Sequence, residues 1–167
     1  MASTRAFRES VYRAYMEFFE KAEKNRRWSV FNDIPWDKLD PSTYDEDAAM
    51  CAEPFVGVES YLPDYVAGGI NVVRDNFGQA WFSANWGYEE SKHALSLREY
   101  LVRSGQRTSD YMFDFEEAIN ANQWERPFKT ARQMTAYGAV QELATFMMYK
   151  HQQKLARQRG DEVLATI

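Results

Sequence analysis

The chain has 167 residues, 45% hydrophobic and 16% aromatic, with 20 Lys and Arg against 25 Asp and Glu for a formal net charge of -5. That is ample apolar material for one well-filled domain, which excludes a disordered chain, and the acidic balance argues against a general nucleic-acid binder. Cys51 is the only cysteine, so no intrachain disulfide forms and a reducing, cytoplasmic setting is the simpler reading; no apolar run is long enough to span a bilayer, and the N-terminus lacks the apolar core of a secretory signal.

Residues 1–167 read as a single helical domain in three parts: an N-terminal helix within 1–27, an extended segment over 28–42, and bundle helices over 43–167. From Thr4 to about Lys24, Phe7, Val11, Tyr15, Phe18, Phe19 and Ala22 recur at three- and four-residue steps, the pattern of an amphipathic helix. Trp28 to Pro41 carries two prolines and several Asp and Asn residues that disfavour helix, so it is predicted as an extended segment anchored by its aromatics. Thr43-Tyr44-Asp45-Glu46 matches a capping box and opens a helical pattern that runs to about Asn76, with kinks or a split expected at Pro54 and Pro63. A helix from about Phe77 to Ser104 stops at Gly105, and a shorter one covers Ser109 to about Gln123. Pro127 suits the first turn of the next, which continues to Arg159 and ends at Gly160. Asp161 then caps a last helix, cut off at Ile167.

His93 and His151 are the only histidines, so any metal or acid-base chemistry must lean on carboxylates. Glu90 and His93 are three residues apart, so on a helix both project from one face and can close on one cation. That face otherwise holds Phe82, Trp86, Leu97 and Leu101, where an unpaired carboxylate is costly. Glu59 and Glu142 each sit among apolar and aromatic neighbours on other helices. The order Glu, Glu-x-x-His, Glu is the order in which ferritin-like bundles build a carboxylate-bridged two-metal site. Oxygen-rich ligation with few imidazoles favours iron or manganese over zinc or copper. Three converging buried carboxylates without metal should raise one another's pKa values.

These residues resemble the soluble acyl-acyl-carrier-protein desaturases, from about Trp28 to the end of the chain. The matching features are the Trp-containing segment, Glu59-x-x-Leu62-Pro63, Trp86-x-x-Glu89-Glu90-x-x-His93 and Gln141-Glu142-x-Ala144-Thr145-Phe146. The resemblance implies an all-α, ferritin-like bundle and an O2-dependent di-iron oxidoreductase that places a double bond in an acyl chain. It further implies that Glu59, Glu90 and His93 hold one iron with Glu90 bridging, and that Glu142 serves the second. Thr145 would lie close to where oxygen is activated, and Trp86 beside the cluster. Acyl carrier protein, a ferredoxin-type electron donor and a homodimeric or larger assembly are the implied partners. The family's second Glu-x-x-His is missing, since Met148 stands three residues before His151, leaving four of six ligands. The chain is accordingly read as a shortened form whose last bundle helix is cut away, exposing the apolar faces of its neighbours. The alternative is a non-catalytic helical subunit of the same descent that associates through those faces.

Other features have plainer readings. Lys21, Lys24, Arg26 and Arg27, like Lys150, Lys154, Arg157 and Arg159, lie at helix C-termini where the macrodipole favours positive charge without any partner, although the resemblance would let either cluster dock an acidic acyl carrier protein. Trp81, Phe82 and Tyr88 suit either an acyl channel or ordinary core; His151 reads as solvated and Cys51 as a packing residue.

Overall fold

The computed structural model describes residues 4–125, 127 and 129–167, and every regular element among them is helical. α1 (Arg5–Asn25) starts where the Thr4 side chain accepts from the Phe7 amide. The segment that follows is not extended. It folds through turns that include two short 3-10 helices, Trp36–Lys38 and Pro41–Thr43, and Trp36 Nε1 donates to the Val30 carbonyl at 2.7 Å. Prolines barred from an α-helix interior still fit single turns, and the buried side chains of Val30 and Ile34 fix those turns to the body.

α2 (Glu46–Ser60) is capped by Asp45, whose Oδ1 accepts from the Ala48 amide at 3.0 Å, so the predicted Thr43–Glu46 capping box does not form. Thr43 is committed to its own turn, where Oγ1 donates to the Asp40 carbonyl at 2.8 Å, and a carboxylate is the better partner for a helix N-terminus. Pro54 is absorbed within α2, but at Tyr61 the helix breaks and α3 (Leu62–Val72) starts with Pro63 in its first turn. A proline there costs the helix an amide donor that the first turn of a new helix does not need.

α4 (Phe77–Arg103) is capped by Asn76, and α5 (Ser109–Asn120) by Thr108. α6 (Ala131–Arg159) begins four residues after Pro127, because Thr130 supplies the side-chain cap to the Gln133 amide. It stops at Gly160, whose φ of +82° is the left-handed value predicted for a glycine stop; Gly105 has +74°. Asp161 caps α7 (Glu162–Thr166) by accepting from the Leu164 amide at 2.9 Å.

α4 is the central element, packed by α1, α2 and α3. The closest approaches fall on its glycines. The Tyr12 backbone would lie 3.0 Å from a Cβ at Gly78, and Val66 Cγ2 2.7 Å from one at Gly87. The C-terminal half of α4 forms the core, where Leu97, Tyr100 and Leu101 meet Ala49, Ala52 and Val56 of α2, Met112 of α5, Ala156 of α6, and Val163 to Ala165 of α7. Each large apolar side chain buried there contributes roughly 1.5–3 kcal/mol.

α6 packs mainly on α7 and only lightly on α3. Its Val140, Leu143, Phe146 and Met147 are 57–71% exposed, so this apolar face of α6 points outward. Trp81, Phe82 and Tyr88 are also exposed, as are Cys51 and His151; the packing role expected of Cys51 is not taken, because its position on α2 faces away from the core. Among the described residues no helix is long and apolar enough to cross a membrane.

Candidate metal centre

Glu59, at the last full turn of α2, and Glu90 and His93, one turn apart on α4, converge at the α2–α4 contact. One ligand atom from each lies within 4.8 Å of the others. His93 Nδ1 is 3.1 Å from Glu90 Oε2 and 3.9 Å from Glu59 Oε1. Although Nδ1 is buried, its alignment to those oxygens completes no hydrogen bond. Nδ1 pairs with Glu90 as an ion pair, and two carboxylates and one imidazole converging on one buried point suit a divalent ion.

The electrostatics agree with that fit. Burial, then the neighbouring Glu90 carboxylate, pushes the Glu59 carboxyl up to about 7, against a partial offset from His93 and Tyr65. Burial pulls His93 down, but Glu90 and then Glu59 and Glu142 outweigh it, so its pKa is raised. Glu59 and His93 are therefore each biased toward holding a proton, and a divalent cation can replace those protons with its own charge.

Glu142 stands apart from this group. It lies on an exposed stretch of α6, and its Oε1 accepts from Trp86 Nε1 at 3.1 Å. Partial burial of the carboxylate, then Glu90, raises its pKa, and the Trp86 N–H pulls the other way. Thr145, half-buried, follows one turn later on the same helix. Four of the sequence-predicted residues thus divide three to one, with Trp86 linking the single acid to α4, the helix that carries Glu90 and His93.

Sequence reasoning missed four neighbours of the site. Tyr65 Oη donates to Glu59 Oε2 at 3.3 Å and Tyr149 Oη to Glu59 Oε1 at 3.4 Å. Burial, then Glu59, raises both phenols far enough to keep them donors. Tyr149 also meets the His93 ring edge-on, 5.9 Å between centroids, while Trp28 stacks on its face at 6.4 Å and 19°. Lys92, buried beside His93, holds Trp28 by its carbonyl oxygen. Only Tyr149 carried a usable signal: it sits seven residues after Glu142, on the same helical face.

No curated protein and no solved structure gives a match to the chain. The family model described as fatty acid desaturase matches residues 49–167, a stretch that includes all three converging residues, Glu142 and Thr145. With most of its length under that match, the chain belongs to the fatty acid desaturase family.

Proposed function

We propose that the chain is an acyl-acyl-carrier-protein desaturase-type oxidoreductase, with Glu59, Glu90 and His93 as ligands to one iron and Glu142 directed to a second. The observation that carries this reading is the convergence of Glu59, Glu90 and His93, with ligand atoms within 4.8 Å of one another, in a member of the fatty acid desaturase family. When bound, iron supplies reduction of O2 coupled to removal of two hydrogens from adjacent carbons of an acyl chain. The protein's own part is placement. The Tyr65 and Tyr149 hydroxyls fix both oxygens of Glu59, and the Trp86 indole fixes Glu142. Thr145 is the residue assigned near the reacting oxygen, and Trp86 the aromatic assigned beside the cluster.

A ferritin-like two-metal centre takes a second Glu-x-x-His, and this sequence contains no other. A cytoplasmic setting, an acyl carrier protein as substrate carrier and a ferredoxin-type donor belong to the same proposal. The exposed Lys150, Lys154 and Arg157 on α6 support an acidic partner. Metal analysis tests the reading. Iron bound by the full chain and lost in Glu90→Ala supports it, and metal-free protein with an intact helical fold overturns it.

A second reading is favoured by the outward Val140, Leu143, Phe146 and Met147 of α6: a non-catalytic subunit that associates through this face, as a homodimer or larger assembly. Sedimentation of the metal-free chain tests it, with dissociation expected in Leu143→Glu.

A further inference from the structure

Lys92 precedes His93 on α4 and is 5% exposed, an unusual place for an ammonium unless it is fully partnered. Its Nζ donates to the Trp28 carbonyl at 2.8 Å and to Glu89 Oε2 at 3.0 Å. It also lies 4.6 Å from the ring centre of Tyr88 and 5.2 Å from that of Trp28. Glu89 in turn accepts from Arg27 Nη1, and Arg27 Nη2 donates to Asn85 Oδ1 at 2.7 Å. Two cations on either side of one carboxylate therefore bind the chain leaving α1 to the flank of α4.

The indole so held is the one stacked on His93. An imidazole ligand turns about its side-chain bonds unless something fixes its plane, and groups outside the ligand set commonly do this for metal sites. Trp28 covers one face of the ring and Tyr149 meets it edge-on. Tyr149 comes from a helix of the bundle, whereas Trp28 comes from an irregular segment with no regular hydrogen-bond pattern to hold it in place.

We propose that Lys92 is a positioning residue: its buried ammonium clamps Trp28 against His93 and so presents the imidazole to the cation. The proposal rests on the metal-centre reading above. Lys92 touches neither the cation nor the ligands' donor atoms. It acts through Trp28, and loss of either should loosen the same ring.

Co(II) titration of the full chain, followed by calorimetry and by the visible Co(II) absorption, tests the role in Lys92→Met, Lys92→Arg, Trp28→Leu and the Lys92→Met/Trp28→Leu double variant. Lys92→Met should bind Co(II) about tenfold more weakly with an altered absorption, the size typical of such supporting residues. Lys92→Arg, which keeps a cationic donor, should recover most of the affinity. The double variant should lose no more than the larger single loss, since both changes break one path. Unchanged Co(II) affinity in Lys92→Met, or losses that simply add in the double variant, would overturn the proposal. If Lys92→Met does not fold, Trp28→Leu decides: unaltered affinity and absorption there overturn it, and a tenfold loss supports it. A wild-type chain that binds no Co(II) overturns the metal-centre reading and this role together, whereas wild-type binding with unaltered variants overturns the role alone.

Discussion

Trp86 Nε1 donates to Glu142 Oε1 across 3.1 Å, joining residues 56 positions apart on α4 and α6. α6 is otherwise tied to the body mainly at its C-terminal end, through α7. The hydrogen bond favours the ionised carboxylate, against partial burial and the nearby Glu90. Trp86→Phe keeps the ring and removes the donor, so the Glu142 carboxyl should titrate at a still higher pH with the fold retained. Carbon-13 NMR titration of the glutamate side chains, with Glu142→Gln to assign the signal, reads this directly. A Glu142 titration unmoved by Trp86→Phe would mean that the indole does not hold the acid in solution.

Glu59 ties stability to pH in a definite direction. Its folded pKa of about 7 lies above the ordinary 4.5. Below the lower value both folded and unfolded forms are protonated, and above the higher one both are ionised with the folded form penalised. Its stabilising contribution is thus complete below about pH 4.5 and lost as pH rises through about 7. His93 and Glu142 are also raised and act in the same direction. In metal-free protein, the slope from these groups appears as a urea midpoint that Glu59→Gln lifts at pH 8 and leaves nearly unchanged at pH 5. The gain at pH 8 is on the order of 2 kcal/mol, a discount on the full linkage value for a site that relaxes. Co(II) should recover the same stability in the wild type by replacing the protons. Parallel pH profiles for wild type and Glu59→Gln would show that the acid ionises normally.

What the sequence discloses and what it hides follow from how local each signal is. Glu90 and His93 are legible because helical geometry alone places i and i+3 on one face, and Glu59 and Glu142 because acids interrupt apolar stripes. Glycine stops at Gly105 and Gly160 are legible for the same local reason, that φ is positive where each helix ends. The capping box fails because Thr43 and Asp45 compete for the same helix start, and the winner depends on a turn made by Asp40 and Pro41. Tyr65 and Trp28 stay hidden because an aromatic near a site reads the same as an aromatic in a core. Their roles come from a helix break at Tyr61 and from an irregular segment, and neither has a period to read.

The α3–α4 contact is set by a missing side chain. A Cβ on Gly87 would lie 2.7 Å from Val66 Cγ2 and 3.3 Å from Cγ1, and valine has little rotamer freedom with which to yield. Gly87→Ala would by helix propensity alone stabilise α4 by about 1 kcal/mol. Overpacking costs roughly 1–3 kcal/mol and should win, giving a net loss of about 1 kcal/mol in urea unfolding. Because α3 also carries Tyr65, its displacement should weaken Co(II) binding as well. Val66→Ala in the same chain should reverse most of both effects. A Gly87→Ala variant that is more stable than wild type would show that the two helices pack less tightly.

Tyr100, fully buried on α4, donates to Asp161 Oδ2 at 2.6 Å, while Asp161 Oδ1 accepts from the Leu164 amide. Burial, then the Asp161 carboxylate, raises the phenol, so it remains a donor. α7 has only five residues and cannot persist by its own hydrogen bonds. Its hold on the body includes this bond, the bond from Gln153 Nε2 to the Ala165 carbonyl at 2.9 Å, the exposed Lys38–Glu162 ion pair and the buried Val163, Leu164 and Ala165. Tyr100→Phe leaves a buried carboxylate one donor short and should cost about 2–3 kcal/mol, more than the roughly 1 kcal/mol of an ordinary cap such as Thr130→Ala. Urea unfolding gives the total, and amide exchange at Leu164 locates it: protection there should fall further than at Leu97 on α4. Asp161→Asn keeps a capping oxygen but removes the charge, so combined with Tyr100→Phe it should lose less than the sum of the two single effects. A Tyr100→Phe cost below about 0.5 kcal/mol with Leu164 protection intact would assign the docking of α7 to its apolar face and its other polar contacts, since a hydrogen bond to a buried charge is worth several times that.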